Sequence, residues 1–290
     1  GERVAALYEQ FHDESVGTVG TAAIKQIETI GKVWIIPCIG RKKASDLCDG
    51  DIQKILDKAA AKGRSKKTIQ DINGTINKFL KWCRRNKKTA YRPDDVHIPA
   101  SARLKGKSVL QPDDLIKLLS SDKTEYKGKE IVDEYIHSYR LEVLTGIRPG
   151  ELRGLRVEDI EGERVNIRRS INVHGETTKG KNENAVRYIE MNDKAYEAYM
   201  GQLYLLQAWR VPRTPDTPLF PLVNQQSLYN HWRHYQETNG IPHISLYELR
   251  HTFVSIAQDL PDGKLKALVG HSKNMDTRGT YAHRIEGQAN

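Results

Sequence analysis

The stretch at residues 244–290 concentrates the side chains best suited to chemistry on a phosphate. In chain order it contains Arg250, His251, His271, Arg278, Tyr281 and His283. A hydrophobic core does not need so many cations and imidazoles. A phosphate site does, because arginine and protonated histidine neutralise phosphoryl charge in a fixed geometry. A phenol surrounded by cations can act as a covalent nucleophile, and Tyr281 is the candidate for that role.

Two arginines extend this candidate site. Arg148 lies in the stretch TGIRPGEL, between a helix that Gly146 ends and a helix that Pro149 can begin. Arg250 lies inside a predicted helix, and a partly buried arginine needs an anionic partner from the protein or from a ligand. Taken singly, an exposed arginine and a tyrosine packed against a helix are the commoner interpretations. The order of all these residues together favours a phosphate site.

Two other patterns do not lead to a site. Residues 175–181 read GETTKGK, which matches a nucleotide-binding loop, but Asn182 follows where Ser or Thr would hold Mg²⁺. Strands are predicted on both sides, so no helix N-terminus would bind the phosphates. His231 and His234 share a helix face, but no further ligand completes a metal set. The sequence therefore predicts no metal, no nucleotide and no other cofactor.

The composition is that of a globular protein whose positive charge is uneven. The 290 residues carry a net charge of +9, and three unpatterned cysteines indicate a reducing compartment. No apolar run is long enough for a membrane span. Residues 1–107 hold 22 Lys and Arg against 12 Asp and Glu, whereas the remainder holds 24 against 25. This asymmetry predicts that the first third contacts a polyanion, with a merely solvating basic surface as the alternative.

The predicted fold is mainly α with a small β-sheet or hairpin, in two domains. Residues 1–90 form a basic helical domain, with helices at residues 16–32 and 51–61 and a longer one that begins at Ser65. The ends of this last helix are its candidate DNA-binding positions: Arg64, Lys66, Lys67, Arg84 and Arg85. Residues 91–108 contain two prolines and no periodicity, which predicts an interdomain linker.

Residues 109–290 form the second predicted domain. Helical patterns cover residues from Pro112, 131–145, 193–209, 224–239 and 245–260, and two short ones lie near Leu265 and Thr280. Residues 165–173 and 185–191 are predicted to form the two strands of a hairpin. The polar turn between them carries Lys179 and Lys181.

Four stretches in the right order resemble the sequence boxes of the tyrosine recombinases, the phage-type and conjugative-transposon integrases. They are TGIRPGEL, LYELRHTF, LVGHS and TYAH, and the resemblance covers about residues 109–283. The basic helical domain resembles the core-binding domain of that family. The resemblance implies that Arg148 and Arg250 clamp a DNA phosphate, that His271 assists, and that Tyr281 is the nucleophile. It also places a catalytic lysine on the β-hairpin, which gives Lys179, with Lys181 close behind.

The chain departs from the family pattern at two places. Tyr247 stands three residues before Arg250, where the family usually has histidine. A phenol can donate to a phosphate oxygen but is a poorer proton acceptor than imidazole, so we expect a phosphate ligand rather than a general base. The spacing of ten between His271 and Tyr281 is one residue longer than the family pattern predicts.

The resemblance implies a site-specific DNA recombinase, the integrase or transposase of a mobile element. It would join DNA through a 3′-phosphotyrosine, without metal or ATP, on double-stranded DNA in the bacterial cytoplasm, at the nucleoid. Four protomers would act together on two duplexes. Two alternatives stay open from the residues: a type IB topoisomerase, which shares this chemistry, and a non-catalytic DNA-binding protein with this fold.

Overall fold

A computed structural model of the chain describes residues 1–103, 106–179, 186–221, 224–272, 274–281, 283 and 285. It divides into two units, Gly1–Gly106 and Lys107–Asn290. As predicted, both units are mainly helical and the β-strands are short. Helices in the described part of the chain are all too short or too polar to span a bilayer.

The first unit is a helical domain built on amphipathic stripes. Its helices are α1 (Val4–Ser15), α2 (Thr21–Ile30), α3 (Ile36–Ile39), α4 (Asp49–Ala61) and α5 (Lys66–Arg85). The apolar stripe of α5 is buried as its spacing predicts, from Ile69 to Cys83. The predicted cap is also present, because the Ser65 hydroxyl accepts a hydrogen bond from the amide of Thr68 at 3.2 Å.

The start of the chain differs from the prediction. Residues 16–32 do not form one helix: a turn precedes α2, and Val16 and Val19 in that turn are 56% and 42% exposed. Residues 4–15, for which no helix was predicted, form α1. Tertiary packing decides this boundary, because Val4, Leu7, Tyr8 and Phe11 of α1 are buried in the core of the unit.

The apolar run around Trp34 is also helical. Residues Gly31–Ile35 form a π-helical turn that joins α2 to α3, so the chain remains helical through Pro37. Gly31 permits this path, since a Cβ there would lie 2.2 Å from Cε1 of Tyr8. A side chain at this position would push α1 away from α2.

Most of residues 91–108, where the sequence predicts a linker, pack against the first unit. The Asp49 carboxylate accepts hydrogen bonds from the Tyr91 hydroxyl at 2.6 Å and from the amide of Asp95 at 2.9 Å. Val96 and Ile98 pack on the hydrophobic core. These contacts explain why the first unit extends to Gly106.

The second unit contains the remaining helices. They are α6 (Pro112–Ser120), α7 (Ile136–Thr145), α8 (Pro149–Gly154), α9 (Asp193–Ala208), α10 (Gln225–Asn239), α11 (Leu246–Ile256), α12 (Asp262–Val269) and α13 (Thr277–Tyr281). The predicted helix at 131–145 begins only at Ile136. Its first residues belong instead to a hairpin of β1 (Lys123–Tyr126) and β2 (Lys129–Val132), whose turn has positive φ at Lys127 and Gly128. These short strands are mostly exposed, so they lack the alternation of buried and exposed residues that predicts a strand.

The predicted hairpin at 165–173 and 185–191 is more complex than expected. Antiparallel β3 (Ile160–Glu161), β4 (Arg164–Ile167) and β7 (Arg187–Glu190) form a three-stranded sheet. A second pair, β5 (Ser170–Ile171) and β6 (Thr177–Thr178), extends beyond it. Strand β6 therefore lies within the stretch that was predicted to be a turn.

Several hydrophobic clusters hold the helices of the second unit together. The rings of Tyr139, Trp232 and Tyr235 pack where α7 meets α10. Another cluster joins α8, the sheet and α9 around Leu152 and Ile189. A smaller cluster brings Tyr281 of α13 against α11 and α12. These contacts bring the amino-terminal end of α8 and helices α11 to α13 together.

Candidate active site

Arg250 is the most deeply buried cation of the candidate site. It is 0% exposed, and its Nη1 and Nη2 atoms donate to the carbonyls of Gly146 and Val269, both at 2.6 Å. Gly146 and Gly270 each have φ of 65° and end α7 and α12, which leaves carbonyls near both helix ends for the guanidinium. Burial, and then the nearby charge of Arg148, lower the pKa of Arg250 to about 10, so it remains charged at neutral pH.

A second cluster forms around the carboxylate of Glu151. It accepts from Arg148 Nη1 at 2.7 Å and from two nitrogens of Arg187, at 3.0 and 2.9 Å. Arg148 Nη2 also donates to the carbonyl of Gly270 at 3.1 Å, and Arg187 Nε donates to that of Leu268 at 2.7 Å. Burial alone would raise the pKa of Glu151, but the hydrogen bonds and charges of Arg187 and Arg148 lower it to about 2. Glu151 is therefore ionised and holds both arginines in place.

His271 connects Arg250 to α13. Its Nε2 lies 2.8 Å from Arg250 Nη2, and its Nδ1 lies 2.8 Å from the hydroxyl oxygen of Thr277. A guanidinium can only donate, so Nε2 is the acceptor and we assign the ring proton to Nδ1. Burial and the charges of Arg250, Arg148 and Arg187 lower the pKa of His271 to about 3. The imidazole is therefore neutral in this arrangement.

Tyr281 packs over Arg250 and His271. Its ring centroid is 5.6 Å from the Arg250 guanidinium and 4.9 Å from the His271 ring, and it stacks on His251 at 4.5 Å. Its hydroxyl lies 2.8 Å from that of Tyr247. Burial, and then the hydrogen bond with Tyr247, raise the pKa of Tyr281 to about 12, while Arg250 opposes this shift. The phenol is therefore neutral and only 7% exposed.

The structure thus brings together the predicted residues Arg148, Tyr247, Arg250, His271 and Tyr281. No role was predicted for Glu151, Arg187 or Thr277. Glu151 follows the N-cap Arg148 by three residues and accepts a hydrogen bond from its amide at 3.0 Å, which is the half of a capping box that an acidic residue supplies. No comparable local signal exists for Arg187, whose partner Glu151 is 36 positions away.

Comparison with known proteins decides the family. Residues 108–287 match the model of the phage integrase family. The chain belongs to that family. It is therefore a site-specific tyrosine recombinase, an enzyme that cleaves and rejoins DNA strands, as the sequence boxes predicted.

The relatives of this phage integrase family member agree with that assignment. A tyrosine recombinase XerC-like protein of Caldanaerobacter subterraneus subsp. tengcongensis is 23% identical over 276 residues, covering 82% of this chain and 67% of the relative. The Tn1549 transposon integrase, solved with circular intermediate DNA, superposes with a TM-score of 0.80 at 17% identity, covering 99% of this chain and 97% of that one. A lambda integrase dimer bound to a COC′ core site gives 0.72 at 14% identity, with coverage of 99% and 98%.

Lys179, the predicted catalytic lysine of this integrase, is not joined to the arginine cluster. It follows β6 directly and its side chain is exposed. Among the residues that the structure describes, no hydrogen bond or ion pair links it to the other candidate site residues. Lys181, the alternative, lies outside the described residues.

The candidate DNA-binding residues of the first unit lie at the two ends of α5. Lys66 and Lys67 are exposed at its start, and Arg64 just before it lies 5.9 Å from the ring centroid of Trp34. At the other end, Arg84 Nη1 donates to the Tyr91 carbonyl at 3.0 Å. A helix of 20 residues is roughly 30 Å long, so these residues form two separate groups.

Exposed Arg85 completes the second group, where its Nη2 lies 3.9 Å from a carboxylate oxygen of Glu14. The first group is the more open of the two basic surfaces, because all three of its side chains are exposed whereas Arg84 is half-buried. Within the first group, Lys67 pairs with Asp71 at 2.7 Å.

Proposed function

We propose that Arg148 and Arg250 bind the scissile DNA phosphate and that Tyr281 attacks it to form a 3′-phosphotyrosine. One observation carries this proposal: the Tyr281 ring lies 5.6 Å from the Arg250 guanidinium, and both side chains are buried. A tyrosine that served packing alone would need no such arrangement of cations around it. The free energy of the broken phosphodiester is kept in the new covalent bond, so rejoining needs no ATP.

The charges of the cluster suit a phosphodiester. Arg148, Arg187 and Arg250 are cations, Glu151 is the anion among them, and His271 is neutral. The group therefore carries two net positive charges. A phosphodiester carries one negative charge, and its pentacoordinate transition state carries more. Because the cations are already fixed, the attraction grows as negative charge develops, which is the condition for catalysis.

Binding a phosphate requires a local rearrangement of Tyr281. Arg250 is completely buried, and the phenol ring lies over it. Arg250 Nε has no hydrogen-bond partner among the described residues, so its N–H can donate to a phosphate oxygen. When the phosphate enters, Tyr281 would leave its contact with Tyr247, and the Tyr247 hydroxyl could donate to a phosphate oxygen instead.

The leaving group needs a proton. As the Tyr281 oxygen bonds to phosphorus, its phenolic proton passes to solvent water and the bond to the 5′ oxygen breaks. We propose Lys179 as the general acid that protonates this 5′ oxygen. Its exposed position after β6 leaves it available to DNA. The hairpin would have to bring it to the leaving oxygen when DNA binds.

On the scale of the whole enzyme, we propose a mobile-element recombinase that acts on double-stranded DNA in the bacterial cytoplasm, at the nucleoid. The first unit would be its core-binding domain. Lambda integrase has been solved as a tetramer bound to a Holliday junction, with a TM-score of 0.71 and 13% identity to this chain. That likeness supports four protomers in the active synapse.

Trapping the covalent intermediate tests this function. The protein is incubated with a nicked suicide substrate, which loses a short strand after cleavage, and the adduct is separated on a denaturing gel. Mass spectrometry of the digested adduct should find the nucleotide on Tyr281. Relaxed plasmid without recombinant product would favour the topoisomerase. DNA binding without any adduct would contradict the enzymatic proposal.

A further inference from the structure

Arg153 connects α8 to the hairpin that carries Lys179. Its Nη1 faces three acceptors: the carbonyls of Ile171 at 3.4 Å and Asn172 at 3.2 Å, and the side-chain oxygen of Gln225 at 2.8 Å. Ile171 is the last residue of β5, and Asn172 follows it. Arg153 therefore binds the end of β5 directly, where the strand enters the turn of the β5–β6 hairpin.

Two glycines allow α8 to approach this hairpin closely. A Cβ on Gly150 would lie 2.6 Å from the Ser170 hydroxyl and 2.9 Å from the Ile171 carbonyl oxygen. A Cβ on Gly154 would lie 3.0 Å from the carbonyl oxygen of Arg169. Helix α8 thus lies against β5 with no room for side chains at these positions, and the guanidinium of Arg153 can reach the backbone beyond it.

The rest of the hairpin is weakly held. Strands β5 and β6 pair through only two residues each, and Thr177, Thr178 and Lys179 are exposed. On one side, a pocket of about 410 Å³ separates residues around Val173 from the segment that contains Phe220. Among the described residues, the hairpin is attached through the packing of β5 against α8 and through the hydrogen bonds of Arg153.

We infer that Arg153 is a positioning residue for the catalytic lysine of the hairpin. Arg148 is the N-cap of α8 and Glu151 lies within it, so one short helix connects the phosphate-binding arginine to strand β5 of the hairpin. Arg153 thereby fixes the position of the hairpin, which carries the proposed acid Lys179, relative to the phosphate-binding Arg148. This inference rests on the proposed function, because it needs the hairpin to supply the acid.

The test compares two substrates. An ordinary phosphodiester needs a proton on its leaving oxygen, whereas a 5′-phosphorothiolate releases sulfur without one. Arg153→Met should slow adduct formation on the phosphodiester by about 10²-fold, the scale of a catalytic group misplaced by 1 Å. The same variant should cleave the phosphorothiolate at the wild-type rate. Arg153→Lys should recover part of the loss, since an ammonium has three donors for the same three acceptors.

Two further variants sharpen the comparison. Lys179→Ala combined with Arg153→Met should be no slower than Lys179→Ala alone, because both changes remove the same proton transfer. Arg164→Met is the matched control: Arg164 is an exposed arginine on β4 that pairs with Glu190 at 3.0 Å, and its loss should leave both rates unchanged.

The outcomes separate the inference from the proposed function. Equal slowing of Arg153→Met on both substrates, or no slowing at all, overturns the positioning role. Absence of any adduct with the wild-type protein overturns the proposed function, and the inference with it. Phosphorothiolate rescue of Arg153→Met, with wild-type rates for Lys179→Ala, supports the positioning role of Arg153 and moves the acid to another residue, such as the nearby Lys181.

Discussion

The hydroxyl oxygens of Tyr247 and Tyr281 lie 2.8 Å apart, within a single hydrogen bond. The proposed nucleophile is thus held by the residue that replaces the usual histidine of the family. The bond and the burial of the ring keep the phenol of Tyr281 neutral, with a pKa of about 12. An entering phosphate therefore has to replace this contact before the phenol can attack.

The two tyrosines should respond differently to loss of the hydroxyl. Tyr281→Phe should retain folding and DNA affinity but form no covalent adduct on the nicked suicide substrate. Tyr247→Phe keeps the nucleophile and loses one hydrogen bond, so we expect an adduct that forms about tenfold more slowly. Denaturing gels at several times measure both. An adduct with Tyr281→Phe but none with Tyr247→Phe would show that the nucleophile is Tyr247.

Removal of Lys179 should affect only the protonation of the leaving 5′ oxygen. Lys179→Ala should slow cleavage of a phosphodiester by roughly 10²–10⁴-fold, the range for lost general acid catalysis. A 5′-phosphorothiolate should restore the rate, because sulfur leaves without protonation. Lys181→Ala is the neighbouring control and should cleave both substrates normally. Slow cleavage and rescue in Lys181→Ala instead would reassign the acid.

Glu151 should make stability depend on acid pH. Its pKa falls from 4.5 to about 2 on folding, so the unfolded chain takes up a proton at higher pH than the folded protein. The stabilisation from Glu151 is therefore complete above pH 4.5 and is lost as the pH falls towards 2. Glu151→Gln should lower the free energy of unfolding at pH 7 by roughly 3–5 kcal/mol, because two arginines lose their buried partner.

Chemical denaturation at pH 7 and in the acid range measures this effect. Glu151→Gln should also show a shallower loss of stability below pH 4.5 than the wild type. Glu190→Gln is the control, since Glu190 pairs with Arg164 at the surface and such pairs contribute about 0–1 kcal/mol. Equal losses for the two variants at pH 7 would contradict a buried structural role for Glu151.

The first basic group of α5 should contribute to DNA affinity through counterion release. Replacing Arg64, Lys66 and Lys67 together by Ala should weaken binding to all DNA sequences. The salt slope, which is the slope of the logarithm of the binding constant against the logarithm of salt concentration, should become smaller in magnitude by about two to three. The comparison is a double variant in which Arg84 and Arg85 are both replaced by Ala. Its salt slope should change less, because Arg84 donates to the Tyr91 carbonyl. Fluorescence anisotropy at several salt concentrations measures both. An unchanged slope in the triple variant would place the DNA elsewhere.

Features that depend on neighbours in the chain could be predicted from the sequence. The Ser65 cap, the stripe of α5 and the helix start at Pro112 follow from contacts between residues three or four positions apart. The family boxes likewise identified Arg148, Arg250, His271 and Tyr281 as one site, and the structure brings these four together.

Tertiary structure alone decided which groups make that site work. Three contacts join residues 18 to 36 positions apart: the pairing of Arg187 with Glu151, the hydrogen bond between Tyr247 and Tyr281, and the hydrogen bond of Arg153 to the hairpin. No local period or cap encodes such distant pairs, because they form only when packed helices bring them together. The sequence by itself therefore determined which chemical groups form the site. Packing determined which charges are paired and how the His271 and Tyr281 side chains are protonated.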